Sequence, residues 1–162
     1  MSHVTTYLNV LDGINERSGA QDNYWTQLQS LGNGGLGIDK NAPSDGANTP
    51  TGPLPVITAA SLSGLTVTVS GTATPSLADP SISVEVYQVS GSSVNASGYG
   101  EGNQYLGTAA VDGAGHWTLK VQADAVGCYT AFQTIHSAGN FTDASSEFGP
   151  NSCRLFLPVV SR

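Results

Sequence analysis

The sequence predicts an all-β fold in which an antiparallel β-sandwich follows an irregular N-terminal extension. Charged residues make up only 10% of the chain, and glycine contributes 20 of its 162 residues. Such a composition suits turns and strands better than long helices. Beyond residue 56, apolar and polar residues alternate in several short segments, and turn-forming residues separate these segments.

Residues 1–31 are the N-terminal extension or cap of this prediction. An apolar stretch runs from Val4 to Ile14 and is followed by polar residues. The next apolar residues have a spacing that suits one short helix, but they could equally form irregular strands that cover a sheet edge. They are Tyr24, Trp25, Leu28 and Leu31. Both alternatives stay open from the sequence.

Residues 32–55 are dense in Gly, Pro, Asn and Asp, which predicts a Gly/Pro-rich linker or a long ordered loop. The GNGGLG at 32–37 matches the dinucleotide-binding pattern, but Pro43 prevents the helix that this pattern needs. We assign these glycines to tight turns. Asp39, Asn41 and Asp45 offer oxygen ligands in the same loop, which makes calcium a candidate ion there, with solvated turn acids as the alternative.

Residues 56–162 are predicted to form the sandwich. Three segments, LTVTVSG, SISVEVYQV and HWTLKVQ, alternate apolar and polar residues, which indicates strands with one buried face. The residues expected on the buried faces are Leu65, Val67, Val69, Ile82, Val84, Val86, Trp117, Leu119 and Val121. Tyr87 falls on the opposite face, which predicts that its ring is exposed.

Further strands are expected at 56–60, 104–111, 127–136 and 154–160. The segment Asp112-Gly113-Ala114-Gly115 is predicted to be a hairpin loop between two of the strands. Seven or so short strands with turns between them, and no long amphipathic helix, favour an antiparallel sandwich over a parallel βαβ sheet.

The two cysteines of the chain are Cys128 and Cys153. In an oxidising compartment the simplest expectation is one disulfide. It would close a loop of about 26 residues and stabilise the fold by roughly 3.5 kcal/mol in the chain-entropy model. The alternative is a pair of free buried thiols.

The net charge of −7, with only five Lys and Arg residues, argues against nucleic acid and anionic membranes as partners. No apolar run reaches transmembrane length. The first ten residues, MSHVTTYLNV, lack the basic and apolar regions of a signal peptide. Low lysine, high Ser/Thr content and paired cysteines favour a fragment of a longer exported chain over a cytosolic protein. We therefore expect an extracellular or cell-surface location.

Catalytic constellations find little support in the sequence. It contains no G-x-S-x-G element, and neither His116 nor His136 has an acid at an obvious orienting distance along the chain. Glu85, Glu101 and Glu147 could be paired for glycoside hydrolysis, but any set of twelve acids allows such a choice. We therefore expect that the chain is not an enzyme.

The segment GYGEGNQYLG at 98–107 is the most distinctive loop. Its glycines let the backbone approach closely around Glu101. Tyr99 and Tyr105, together with Tyr87, are the candidate contacts for a carbohydrate or a protein. The alternative is an ordered loop that packs on the sandwich, since most loops are only connections.

Five segments occur in a suggestive order: LGNGGLGID (31–39), TGPLPVIT (51–58), GYGEGNQYLG (98–107), VDGAGHW (111–117) and DASSEFG (143–149). This order resembles the C-terminal part of large bacterial surface proteins, in which a right-handed parallel β-helix is followed by an immunoglobulin-like domain. The resemblance implies an immunoglobulin-like sandwich and a surface location, and it implies no reaction and no catalytic residue.

The favoured function is a non-catalytic extracellular structural or adhesive module of a bacterial surface protein, with a protein or glycan partner at the cell surface. One alternative is a carbohydrate-binding accessory domain. Another is a filament subunit that self-associates by adding a strand to a neighbour's sheet.

Overall fold

The computed structural model describes residues 3–17, 23–42, 52–89, 98–123, 125–137 and 143–153. Within these ranges the secondary structure is all β, as predicted, and no helix is present that could cross a membrane. The strands are β1 (Thr5–Tyr7), β2 (Ile14–Arg17), β3 (Gln29–Leu31), β4 (Ile38–Ala42), β5 (Val56–Ser63), β6 (Thr66–Thr72), β7 (Ser81–Val89), β8 (Gln104–Ala110), β9 (His116–Gln122), β10 (Cys128–His136) and β11 (Ala144–Ser145).

Two antiparallel sheets form the predicted immunoglobulin-like sandwich. One sheet has the strand order β5-β6-β9, and the other has the order β11-β10-β7-β8. The chain crosses between the sheets after β6, β8 and β9, so each of these three strands lies in a different sheet from the strand that follows it. The expected strand at 154–160 lies outside the described residues.

The core of the sandwich comes from the alternating residues of the two sheets. Val67 and Val69 of β6 and Val84 and Val86 of β7 are fully buried, and Trp117 is 2% exposed. These side chains belong to one apolar cluster between the sheets. The prediction that Trp117 and the apolar faces of these strands form the core is confirmed, because a pleated strand turns every second side chain to the same face.

Two details of the predicted strands are wrong. Leu65 is 68% exposed, because it lies in the turn between β5 and β6 beside Gly64, whose φ is +61°. The turn Asp112–Gly115 is not a hairpin loop, because β8 pairs with β7 whereas β9 pairs with β6.

The Asp112 turn joins the two sheets instead. The carboxylate of Asp112 accepts the backbone N–H groups of Ala114 and His116 at 2.9 and 2.8 Å. The pKa of Asp112 lies below its usual range, and the largest cause is the hydrogen bond from the His116 N–H.

The N-terminal extension contains two coils with parallel strand pairing. β1 pairs with β3 and β2 pairs with β4. We call residues 4–17 the first coil and residues 25–42 the second coil. At the start of each pair the two partners are 24 residues apart, Thr5 with Gln29 and Ile14 with Ile38. This is the stacking of successive turns of a β-solenoid. The helix alternative for residues 24–31 is wrong, since β3 lies there, and β4 lies inside the segment expected to be a linker or loop.

The four-stranded sheet is covered on both faces. One face packs on the three-stranded sheet, and the other packs on the coils through a second apolar cluster. Its buried members are Trp25, Leu28, Ile38, Tyr87, Phe132 and Phe148. Tyr87, expected to be exposed, is therefore fully buried, because the second face of β7 meets the coils and not water.

The disulfide Cys128–Cys153 is present and closes a segment with a sequence separation of 25. It joins the start of β10 to the residues that follow β11. The expectation of one disulfide is confirmed, and the free-thiol alternative is excluded.

Candidate functional site: a sealed edge between the coils and the sandwich

The second coil presents a row of backbone N–H groups on the side away from the first coil. Gln29 N–H donates to the Val4 carbonyl of the first coil at 2.8 Å, and the next donor, Ser30 N–H, points the other way, to the Gly102 carbonyl of the sandwich. We call this row the sealed edge. It consists of the N–H groups of Trp25, Gln27, Leu28, Ser30, Asn33 and Lys40, each of which donates to an acceptor of the sandwich.

Glu101 is a buried acid at the sealed edge, with 1% exposure, and it lies in the loop before β8. Its carboxylate accepts the Asn33 backbone N–H at 2.9 Å and the Asn33 side-chain amide at 2.7 Å. Ser30 Oγ donates to the same carboxylate at 3.3 Å. These donors are neutral, so the negative charge is stabilised by converging hydrogen bonds, which are stronger when the acceptor is ionised.

Glu85 and Tyr87 form a second group of acceptors on β7. Glu85 accepts the Gln27 N–H at 2.8 Å, the Tyr87 hydroxyl at 2.5 Å and the Thr26 hydroxyl. The Tyr87 oxygen in turn accepts the Leu28 N–H at 3.1 Å. Burial, and then the nearby charge of Glu85, raise the pKa of Tyr87 far above its usual range, so the phenol remains a donor to Glu85.

Glu147 and Ser145 complete the sealed edge from the region of β11. Glu147 is fully buried and accepts the Lys40 N–H at 2.7 Å. Ser145 Oγ accepts the Trp25 N–H at 3.0 Å and donates to the Trp25 carbonyl at 3.1 Å. The side-chain ammonium of Lys40 donates to the Ser145 carbonyl at 2.8 Å, so both the backbone and the side chain of Lys40 donate to this region.

Two glycines allow the loop that carries Glu101 to lie against the sheet. A Cβ at Gly100 would lie 2.1 Å from the Thr130 side chain, and a Cβ at Gly102 would lie 2.7 Å from the Tyr87 ring. Only glycine fits such close approaches. Residues 98–103 of the segment GYGEGNQYLG therefore form an ordered loop packed on the sandwich, whose glycines bring Glu101 to Asn33, and residues 104–107 belong to β8.

The residues expected to bind a carbohydrate or protein do not form one exposed surface. Tyr87 and Glu101 are buried, whereas Tyr99 and Tyr105 are half-buried. The Tyr105 ring packs edge-on against Tyr87 at 5.6 Å, and its hydroxyl lies 2.7 Å from that of Thr108. Of these four side chains, only those of Tyr99 and Tyr105 are therefore partly exposed to solvent.

The calcium ligands expected in one loop are arranged differently. Asp39 and Asn41 lie on strand β4, so they are not loop residues, and Asp39 is 3% exposed. Asp45 lies outside the described residues. Among the described residues, no group of three or more His, Cys, Asp or Glu side chains is placed to hold a metal ion.

Two of the clefts that the described residues line are of similar volume. The larger, of about 280 Å³, lies at the seam beside Lys40, Gln133 and Ser146. The other, of about 260 Å³, lies at one end of the sandwich beside Gln88, Gln122 and Tyr129. Both are smaller than the roughly 300–1,000 Å³ of ordinary small-molecule pockets, so neither identifies a ligand.

The coils are the feature that the sequence prediction missed. Asn9, Gly13 and Ile14 of the first coil recur as Asn33, Gly37 and Ile38 in the second. The Asn9 side chain donates to the Asn33 side-chain oxygen at 2.8 Å across the separation of 24 residues. The pattern N-x-x-x-G-I, repeated once, is the signal that could have revealed the stacking.

The comparisons with known proteins add no family. No protein-family model matches the chain, and no curated protein sequence matches it significantly.

Proposed function

We propose that this chain is a structural module of an exported protein, in which the sandwich seals one end of a stack of parallel β-coils. The observation that supports it is the sealed edge itself, where six backbone N–H groups of the coils each meet an acceptor of the sandwich. The conspicuous acids of the sandwich, Glu85, Glu101 and Glu147, all serve this contact.

The physical reason for such a seal is that an open strand edge recruits other strands. A carboxylate accepts hydrogen bonds and donates none when ionised. It therefore satisfies the N–H groups of the edge without offering the donors that a further strand would need. Replacing one acceptor by an apolar side chain would leave a buried N–H unpaired, which costs about 1–3 kcal/mol.

The proposed location outside the cytosol is supported by the disulfide and the composition. Disulfides persist in oxidising compartments and are rare in reducing ones. The net charge of −7 keeps such a domain soluble among other proteins. The assignment to a bacterial surface protein rests on the motif order described above, and an adhesive role with a protein partner remains within this proposal.

The seal is tested by a triple variant, Glu85→Gln, Glu101→Gln and Glu147→Gln. Each amide replaces an acceptor oxygen by a donor that faces another donor, so we expect lower stability to urea and, in light scattering, assemblies larger than those of the wild type. The control is Asp79→Asn, which replaces a carboxylate by an amide at an exposed acid away from the sealed edge. A triple glutamine variant with the same assembly size and the same stability as this control would overturn the proposal.

Self-association is a second candidate, favoured by the opposite end of the stack. In the described part of the chain, β1 and β2 each pair on one side only. The turn between them is exposed, with Val10 at 90% and Leu8 at 62%. Because the other end is sealed, association through this edge would join two like ends into a closed pair and would not propagate as a filament.

Light scattering over a range of concentrations tests this candidate. We expect the wild-type chain to form dimers and Val10→Lys to remain monomeric, since a charge on a strand edge blocks pairing. Leu77→Lys is the control, because Leu77 is 65% exposed on the sandwich, away from the coils. A wild-type chain that is monomeric at every concentration would exclude self-association.

The carbohydrate-binding alternative now depends on Tyr99 and Tyr105. Sugars stack on exposed aromatic faces, and both rings are half-buried. A glycan array on the wild-type chain and on Tyr99→Ala would decide it. Binding that is lost with Tyr99 would support this alternative, and an array without signals would exclude it.

A further inference from the structure

A serine, a histidine and an aspartate are hydrogen-bonded in series on the four-stranded sheet. Ser83 Oγ lies 2.8 Å from His136 Nε2, and His136 Nδ1 lies 3.1 Å from Asp143 Oδ2. Ser83 is on β7, His136 ends β10, and Asp143 immediately precedes β11. None of the three side chains takes part in the sealed edge.

The strand register explains why the three side chains meet. In the β10–β7 ladder, Thr134 lies opposite Ser83 and His136 lies opposite Ser81, so His136 reaches Ser83 along a diagonal. The pairing of β11 with β10 returns the chain so that Asp143, seven residues after His136, stands beside the imidazole. The other Asp143 oxygen accepts the Ser137 N–H at 3.3 Å, which fixes the carboxylate.

Solvent and small molecules can reach this group. The side chains of His136 and Asp143 are 34% and 38% exposed. On the other flank of Ser83, the ladder places Ala110 of β8, which is exposed and has only a methyl group. The Tyr24 ring lies edge-on to the imidazole at 6.1 Å and forms one wall.

From this geometry we infer that Ser83 is an activated nucleophile, with His136 as its general base and Asp143 as the positioning residue. A hydroxyl within hydrogen-bond reach of a base, which is itself oriented by a third group, is the arrangement that activates serine, whatever the fold. The inference is independent of the proposed structural function. It uses an acid, Asp143, that sequence inspection alone did not connect with His136.

The reaction is the transfer of an acyl group from an ester. Ser83 Oγ attacks the ester carbonyl carbon, and His136 Nε2 takes the hydroxyl proton. The bond to the leaving oxygen breaks, His136 returns the proton to that oxygen, and the products are acyl-Ser83 and the free alcohol. Attack by water on acyl-Ser83, with the same proton transfers, releases the acid and restores the hydroxyl.

The surroundings of Ser83 define the substrate class. Ser83 lies in the middle of a sheet, and its backbone belongs to the ladders with Thr134 and Ala110. Its own N–H therefore does not serve as a donor to the oxyanion of a tetrahedral intermediate, unlike that of a serine on a turn. The nucleophile is thus suited to activated esters and fluorophosphonates, whose leaving groups depart readily, and not to peptide bonds.

The test uses the full chain with a fluorophosphonate probe and with p-nitrophenyl acetate. We expect covalent labelling that maps by mass spectrometry to Ser83 and is lost in Ser83→Ala. His136→Asn should slow labelling by at least about a hundredfold, the lower end of general-base contributions. Ser81→Ala is the matched control, since Ser81 lies opposite His136 in the ladder while the hydrogen bond goes to Ser83, and it should label like the wild type.

The role of Asp143 has its own readout. Asp143→Asn should slow labelling of Ser83 by the fluorophosphonate, and Asp143→Glu, which keeps the carboxylate, should restore part of the rate. A purely structural carboxylate would change the stability to urea and leave the labelling rate of the folded chain unchanged. A folded wild-type chain that is not labelled, or labelling that persists in Ser83→Ala, overturns the inference. A positive result would replace the expectation that the chain is not an enzyme.

Discussion

At the residue scale, the molecule uses ionised side chains as acceptors inside an apolar contact. Glu101 and Glu147 lie among buried side chains and receive backbone N–H groups of the second coil. Burial of a charge without partners is strongly unfavourable, so each carboxylate depends on the donors around it. The same dependence makes these positions sensitive to changes that preserve size, such as the replacement of a carboxylate by an amide.

Tyr87 gives a prediction about alkaline stability. Its pKa is raised by burial and by Glu85, so the folded chain keeps the phenol proton while an unfolded tyrosine loses it near about pH 10. The protonated phenol of Tyr87 therefore contributes fully to the free energy of unfolding below about pH 10. This contribution is lost as the pH rises further, by up to about 1.4 kcal/mol per pH unit. Urea unfolding as a function of pH should show this decline.

The variant Tyr87→Phe should respond in two opposite ways. It should be less stable near neutral pH by about 1–3 kcal/mol, because the Leu28 N–H loses its acceptor. Above about pH 10 its stability should fall less steeply than that of the wild type, because the titrating group is gone. Tyr105→Phe is the control, since its hydroxyl contacts only the exposed Thr108, and an equal change of slope in both variants would contradict the assignment.

At the element scale, the faces of single strands were predictable and their coverings were not. Alternation correctly placed Val84 and Val86 of β7 on one face. It also placed Tyr87 on the other, but a period of two says only which residues share a face and not what packs there. The coils that cover the second face of β7 come from residues far away in the sequence, and a local pattern contains no information about them.

The same limit explains the other differences between expectation and structure. The turn at Asp112 was predictable as a turn, but the sheet to which β9 belongs depends on its partner β6. The contact of His136 with Asp143 depends on how the chain returns from β10 to β11. The sequence shows no periodic pattern between these strands from which the contact could be predicted. The coils were missed because each carries only a few repeated residues, such as Asn9 and Asn33.

The disulfide leads to a prediction for the strands it joins. Reduction should lower the free energy of unfolding by about 3.5 kcal/mol in the chain-entropy model, because the unfolded chain is then no longer closed into a loop across the separation of 25 residues. The native arrangement should persist, because the Ser152 N–H still donates to the Tyr129 carbonyl and the Tyr129 N–H still donates to Ser152 Oγ, each at 2.8 Å. Urea unfolding with and without a reductant measures the difference.

The control for this experiment is the double variant Cys128→Ser and Cys153→Ser. The chain has no other cysteine, so the variant should match the reduced wild type, and the reductant should not affect it. If reduction left the unfolding midpoint of the wild type unchanged, the bond would not constrain the unfolded chain as proposed.

At the scale of the whole molecule, the two ends of the coil stack differ. One end is sealed by the sandwich through hydrogen bonds and an apolar cluster, and the other exposes Val10 and Leu8. The apolar cluster at the seal takes residues from both parts, including Trp25 of the extension and Phe132 of β10. Because neither part can bury this surface alone, we expect the coils and the sandwich to unfold together.

The two tryptophans test this cooperativity, because each reports on a different part. Trp25 lies in the cluster between the coils and the sandwich, and Trp117 lies in the sandwich core. Trp117→Phe leaves the first as the only tryptophan, and Trp25→Phe leaves the second. For each of the two variants, unfolding in urea is followed both by tryptophan fluorescence and by circular dichroism. We expect the two curves of one variant to have the same midpoint. A Trp25 signal that changes at a lower urea concentration than the circular dichroism would show that the coils detach before the sandwich unfolds, and the sealed edge would then be too weak for the role proposed here.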